Sequence, residues 1–229
     1  MYAYAAPPFD ADAVANASGP RDSRWRAHDL LRIARLPLDG NAPDWVRDAF
    51  ARAPFAVVRR AQSASGFIAV GVRGATRAQR FGTWVAVDDI DAALSPEDLV
   101  ANEPRDGRHA LPAFLALALL RDSRSVLHDF AWGPTGSAGF ELATRLAVVN
   151  ESSDLDLLIR IPYRLDAATA RALADLLMAA STHAQTRVDA QLETPAGGVA
   201  LAELAAGKPR VLVRATDGAR LIADPWRPA

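Results

Sequence analysis

Residues 155–161, LDLLIRI, are apolar at nearly every position and have the length of a strand, not a helix. Behind them residues 166–182 are patterned as a helix, with Leu173, Leu176, Leu177 and Ala180 at the i, i+3, i+4, i+7 spacing of one buried face. The same alternation runs through the second half of the chain. Residues 112–121 read as a helix, 126–132 as a strand, 133–137 as a turn and 140–148 as a short helix. Residues 187–193 then alternate as a strand, 199–206 are helical with Gly207 as the stop, and 210–214 form a last strand. Helices interleaved with short apolar strands call for an α/β (α+β) domain built on a mixed sheet.

The first half is ordered differently. Residues 25–36 and 43–52 are expected to be helical, the second with Pro43 near its first turn. Residues 55–60 and 67–73 follow as two strands of a hairpin across the polar turn 62–66. Period-two alternation sets Phe67, Ala69, Gly71 and Arg73 on one face and Ile68, Val70 and Val72 on the other. Residues 84–87 offer a third strand, and Ser95 is placed to cap a short helix at 95–98. The polar stretch 102–108 marks a boundary between a smaller α+β domain, 1–108, and a second domain, 109–229.

Several function classes drop out early. The chain has no cysteine, which removes disulfides, thiolate metal sites and cysteine nucleophiles and suits the cytoplasm. Residues 1–19 lack the basic stretch and apolar core of a signal peptide and read as a loose, alanine-rich tail. The longest apolar run, 111–120, is ten residues and contains Pro112, whereas a bilayer span takes about 20. A net charge of −1 gives no electrostatic case for nucleic acid. The four histidines, His28, His109, His128 and His183, lack metal-ligand spacing, so zinc is not expected.

Charge is informative in its distribution. Residues 49–87 contain no acid, yet they hold Arg52, Arg59, Arg60, Arg73, Arg77 and Arg80. Such a window suits a phosphate-rich ligand or an acidic partner protein, and equally a solvated face paired with acids from elsewhere.

The chemistry concentrates at Ser153-Asp154-Leu155-Asp156. Carboxylates spaced i, i+2 at a strand entry point to one side, with Cα atoms roughly 6.5–7 Å apart. They repel unless a divalent cation lies between them, and oxygen ligands of this kind suit Mg²⁺ or Mn²⁺. By itself the pattern also fits a solvated strand end. Upstream, Gly136-Ser137 lies in a glycine-rich turn that opens a helix, where bare amides make an anion site and Ser137 adds a hydroxyl. No lysine follows the glycines, so this is not a P-loop. Downstream, residues 187–193 set Asp189, Gln191 and Glu193 on one face, and a neighbouring strand would bring Asp189 beside the first pair. Gln191 and Glu193 are expected on the exposed face of an edge strand.

In this order, glycine-serine turn, helix, Asp-x-Asp strand, helix, strand with a third aspartate, the second half resembles the DNA polymerase β-like nucleotidyltransferase superfamily. The resemblance implies that Asp154, Asp156 and Asp189 hold the metals, that Asp189 activates the attacking hydroxyl, and that Gly136 and Ser137 grip a polyphosphate. Sixteen residues separate Ser137 from Asp154, more than the superfamily usually shows. More narrowly, WGPTGSAGFELAT, ESSDLDLLIR, VDAQLETPAGGVALAE and the closing DPW, with the early HDLLR and the arginines of VVRRA, VGVRG and RAQR, resemble the malonate decarboxylase holo-acyl-carrier-protein synthase family, the phosphoribosyl-dephospho-CoA transferases. The likeness covers about residues 25 to 226. It implies transfer of a phosphoribosyl-dephospho-CoA group from triphosphoribosyl-dephospho-CoA to a serine of the apo acyl-carrier subunit of malonate decarboxylase, with release of pyrophosphate. Arg59, Arg60, Arg73, Arg77 and Arg80 would then dock the acidic carrier or hold the nucleotide. Two alternatives remain: a nucleotidyltransferase using an NTP on a small molecule or tRNA, and a non-catalytic module that binds carrier protein or nucleotide.

Overall fold

A computed structural model describes residues 2–7, 24–38, 42–76, 78–122 and 124–227. Most of the N-terminal tail and Arg77 lie outside the described residues. The chain divides into two compact units, Met1–Ser95 and Pro96–Ala229. The polar stretch 102–108 belongs to the second unit. Both sheets are mixed, in agreement with the α/β (α+β) expectation.

The first unit is a six-stranded sheet: β1 (Tyr2–Tyr4), β2 (Leu30–Ile33), β3 (Phe55–Val58), β4 (Phe67–Arg73), β5 (Arg80–Ala86) and β6 (Ile90–Leu94), in the order β1-β5-β4-β3-β2-β6. Helix α1 (Asp44–Arg52) joins β2 to β3 and buries Val46 and Ala49. The alternation read from 67–73 holds. Val70 and Val72 enter a core with Leu31, Ile33, Val58, Phe81 and Val85. On the opposite face β4 and β5 pair residue for residue as Ala69↔Trp84, Gly71↔Gly82 and Arg73↔Arg80.

Residues 25–36 are not a helix. They turn through His28, whose φ is +75°, and enter β2, which pairs with both β3 and β6. Two flanking strands satisfy the backbone of HDLLRI and override its helix-like apolar spacing. The short helix expected at 95–98 is a 3-10 turn, Glu97–Leu99, that begins after Pro96.

The second unit carries β7 (Ala131–Pro134), β8 (Leu155–Arg160), β9 (Val188–Thr194), β10 (Gly197–Ala200), β11 (Val211–Ala215) and β12 (Gly218–Ile222), ordered β12-β11-β10-β9-β8-β7. Helices α2 (Pro112–Asp122), α3 (Gly136–Thr144), α4 (Ala167–Ala184) and α5 (Leu201–Ala205) complete it. β8 and β9 run parallel, so α4 crosses between them; the other neighbours are antiparallel. Leu155, Leu157, Ile159 and Leu192 pack with Phe114, Leu117, Leu173 and Leu177 of α2 and α4. Each such side chain contributes about 1.5–3 kcal/mol by burial. α4 starts at Asp166, whose carboxylate accepts from the amides of Ala168 and Thr169 at 2.9 Å.

Three expectations here are corrected. The stretch 126–132 is a 3-10 turn, Val126–Asp129, before β7. The helix expected at 140–148 begins four residues earlier, on Gly136 itself. Strand β9 is interior, between β8 and β10, so Gln191 and Glu193 are not on a free edge. Gln191 accepts from Arg214 Nη1 at 3.2 Å. Among the described residues no helix is long and apolar enough to cross a membrane.

Candidate functional site

Since Leu155, Leu157 and Ile159 face the helices, the period-two geometry of β8 turns Asp154 and Asp156 to the opposite side. The register of the parallel neighbour fixes the third acid: Asp156 pairs with Asp189. Paired positions on adjacent strands share a face, so Asp189 stands beside Asp156, with Asp154 two residues back along the same strand. All three carboxylates are half-buried at one end of the β8–β9 pair.

The glycine-serine turn meets them there. The Thr135 amide donates to the Asp156 carbonyl at 2.8 Å, bringing the start of α3 onto the strand. Gly136 has φ +58°, and a Cβ on it would lie 2.2 Å from Asp156 Oδ2. Only glycine accepts both that backbone and that approach. Ser137 is buried immediately after it, inside the first helical turn, where a helix leaves its leading amides without intrahelical partners. Beginning α3 at Gly136 therefore aims backbone donors and the positive end of the helix dipole at the acidic face.

The carboxylates are not gathered as a filled metal site would gather them. Asp189 is held by Arg187 at 2.5 Å. Among the described residues, no group of three or more His, Cys, Asp or Glu is close enough to hold an ion. The Arg187–Asp189 pair is largely exposed, and such pairs contribute at most about 1 kcal/mol. The donor set, carboxylate oxygens beside a backbone cradle, fits a hard divalent cation.

Two residues that sequence reasoning missed hold the entry to β8. Glu141 of α3 is 2% exposed. Arg108 Nε and Nη2 both donate to its carboxylate, which also accepts from the amides of Val148 and Val149 at 2.7 and 2.8 Å. Arg108 Nη2 closes the loop with a 2.6 Å bond to the Val149 carbonyl. Burial alone would raise the Glu141 pKa; the hydrogen bond from Arg108, the two amides and the guanidinium charge outweigh it and hold the carboxyl below its ordinary value. This clamp folds the segment between Ser137 and Asp154. A second turn, with the Asn150 amide on Ser153 Oγ at 2.9 Å, then delivers Asp154 to the strand. The visible signal was one acid inside the otherwise apolar run GSAGFELAT.

The arginine window lies in the first unit. Arg59, Arg73 and Arg80 share the sheet face that carries Gly71 and Gly82. Arg60 meets His28 instead, Nη1 to Nε2 at 3.2 Å. Arg80 Nη1 donates to the Gln79 carbonyl at 3.1 Å.

Comparison with known proteins agrees across both units. Residues 98–225 match the family model described as the phosphoribosyl-dephospho-CoA transferase MdcG C-terminal domain, and residues 26–96 match that of the MdcG N-terminal domain. The chain is 45% identical over 204 residues to the phosphoribosyl-dephospho-CoA transferase of Azotobacter vinelandii, covering 87% of this chain and 93% of that one. It is 44% identical over 204 residues to the enzyme of that name from Pseudomonas putida, covering 88% and 95%. A Pseudomonas aeruginosa protein of the same name is 45% identical over 201 residues, covering 87% and 93%. No solved structure matches the chain.

Proposed function

The chain belongs to the phosphoribosyl-dephospho-CoA transferase family and is a transferase; from that premise we propose the full reaction. It moves the 2′-(5″-phosphoribosyl)-3′-dephospho-CoA group from its triphosphate precursor to a serine of the apo acyl-carrier subunit of malonate decarboxylase, in the cytoplasm, and releases pyrophosphate. The second unit acts as a DNA polymerase β-like nucleotidyltransferase, and the first docks carrier or donor.

One observation supports this most strongly: the β8–β9 register that sets Asp189 beside Asp156, with Gly136 closing on the same carboxylate. In the proposed step the seryl oxygen bonds to the phosphorus adjoining the ribose, and the bond from that phosphorus to pyrophosphate breaks in line. Asp189 takes the seryl proton. The amides of Gly136 and Ser137, with the Ser137 hydroxyl, hold the departing phosphates. Asp154, Asp156 and Asp189 would hold Mg²⁺ or Mn²⁺, whose contribution when bound is to neutralise charge on the polyphosphate. Little covalent chemistry falls to the protein, so positioning supplies most of the rate.

Intact-mass analysis tests the proposal. Apo carrier protein is incubated with the enzyme and either triphosphoribosyl-dephospho-CoA or ATP, with pyrophosphate measured in parallel. A mass gain equal to the prosthetic group, from the first donor only, is expected. A nucleotidyl adduct from ATP would favour the NTP-dependent alternative. No adduct and no pyrophosphate from either would overturn the catalytic reading.

A further inference from the structure

The first unit holds a guanidinium whose surroundings the acidic face of the second unit does not explain. The Arg59 amide donates to the Ala69 carbonyl at 2.9 Å, which lays the side chain across the cross-strand pair Gly71↔Gly82. A Cβ on Gly71 would stand 3.2 Å from Arg59 Cδ, and one on Gly82 only 2.3 Å from Nη1. Two glycines thus form a floor shaped to this side chain. The ring of Tyr4 covers it, with its centroid 5.0 Å from the guanidinium carbon. Arg59 Nη1 is buried and has no hydrogen-bond partner among the described residues. Burial pushes the pKa of Arg59 down, against a smaller opposing effect from Tyr4. A guanidinium nevertheless stays protonated, so a half-buried cation keeps one buried N–H without an acceptor among the described residues. A buried N–H without an acceptor is unfavourable, and a site that receives an anion supplies the missing acceptor.

Residues 49–87, which supply β3, β4 and β5, contain no acid. The next cross-strand pair on the same face, Arg73↔Arg80, adds two more positive charges. An arginine fork with two further cations nearby matches an anion with several charged oxygens better than a single carboxylate. We propose that Arg59, on its Gly71–Gly82 floor, anchors a binding pocket for a phosphoryl oxyanion of the phosphate or pyrophosphate class. The pocket belongs to the first unit and stands independently of the carboxylate chemistry assigned to the second.

The test uses the full chain in EDTA, so that no divalent cation recruits phosphate to Asp154 and Asp156. The Arg59 Nε–H resonance, assigned by its loss in Arg59→Lys, is followed during titration with inorganic phosphate and with pyrophosphate, and affinities are measured by calorimetry. Pyrophosphate is expected to shift that resonance, and its affinity to fall at least tenfold in Arg59→Gln and in Gly82→Ala. The three atoms nearest the added methyl of Gly82→Ala belong to the side chains of Arg59 and Tyr4 and not to backbone, so that variant should fold. A larger response to phosphate than to pyrophosphate would still support the pocket and identify a monophosphate ligand. The Arg59 resonance reports on the first unit alone, so an unmoved resonance beside intact transfer to the carrier separates failure here from failure of the transfer chemistry. An unmoved Arg59 resonance with both anions, equal affinity in Arg59→Gln, or a shift produced only by apo carrier protein would overturn the proposal.

Discussion

Glu141 and Asp156 lie on either side of one segment and answer to different tests. Glu141 keeps its charge in the interior because Arg108 and two amides complete its hydrogen bonding. Its folded pKa is depressed, so its contribution to stability is fully present above the unfolded glutamate value and is lost as pH falls through the folded one. The wild-type melting temperature should therefore fall in acid more steeply than that of Glu141→Gln. At neutral pH Glu141→Gln should cost about 1–3 kcal/mol, because one acceptor oxygen and the charge that Arg108 and the two amides bind are lost, and denaturant titration measures this. Asp156→Ala should leave the melting temperature close to wild type while transfer to the carrier drops at least about 100-fold. Near-normal turnover in that variant would remove Asp156 from the site. The shared face of Asp154 and Asp156 was legible from their spacing alone. Glu141 was not, since its partner lies 33 residues earlier and no local rule joins them.

Among the elements, α3 shows why boundaries matter. Its expected start at 140 would have left Gly136 and Ser137 in a loop; beginning at Gly136, it sets its first residue against the Asp156 side chain. The cause is tertiary, through the bond from the Thr135 amide to the Asp156 carbonyl. Gly136→Ala would force a left-handed backbone on a residue with a Cβ, costing about 1–2 kcal/mol, and drive that Cβ into Asp156. Transfer should fall well beyond what the stability loss explains, read as kcat with the melting temperature recorded alongside. Gly133→Ala is a contrasting case. Its Cβ would lie 1.8 Å from the Pro96 carbonyl oxygen, so backbone must move, and the loss should appear mainly in stability, at about 1–3 kcal/mol. Strand β2 escaped a sequence reading for a related reason: Leu30, Leu31 and Ile33 fit helical spacing as well as a strand, and only pairing with β3 and β6 decides between them.

For the molecule as a whole, the main core of each unit follows from its own pattern. The alternation of helix and apolar strand after residue 108 announced an α/β unit. The hairpin at 55–73 announced a sheet before it, though β1, β6, β10 and β12 are too short or too mixed in pattern to be read without partners. Each core draws its buried side chains from its own unit. A fragment of residues 96–229 should accordingly unfold cooperatively by itself in thermal scans, and a broad, non-cooperative loss of signal would show that it depends on the remainder. Parallel pairing of β8 with β9 carries one more implication. Side-chain orientation in a strand has a parity of two, so Asp189 reaches Asp156 only while the count of residues leading into β9 is kept. Inserting one residue between Val188 and Asp189, with Val188 kept opposite Leu155, would move the third acid to the position paired with Leu157 and turn it inward among leucines. Lineages that keep the activity should therefore vary freely in the turns after β9 while admitting no odd-numbered length change just before it.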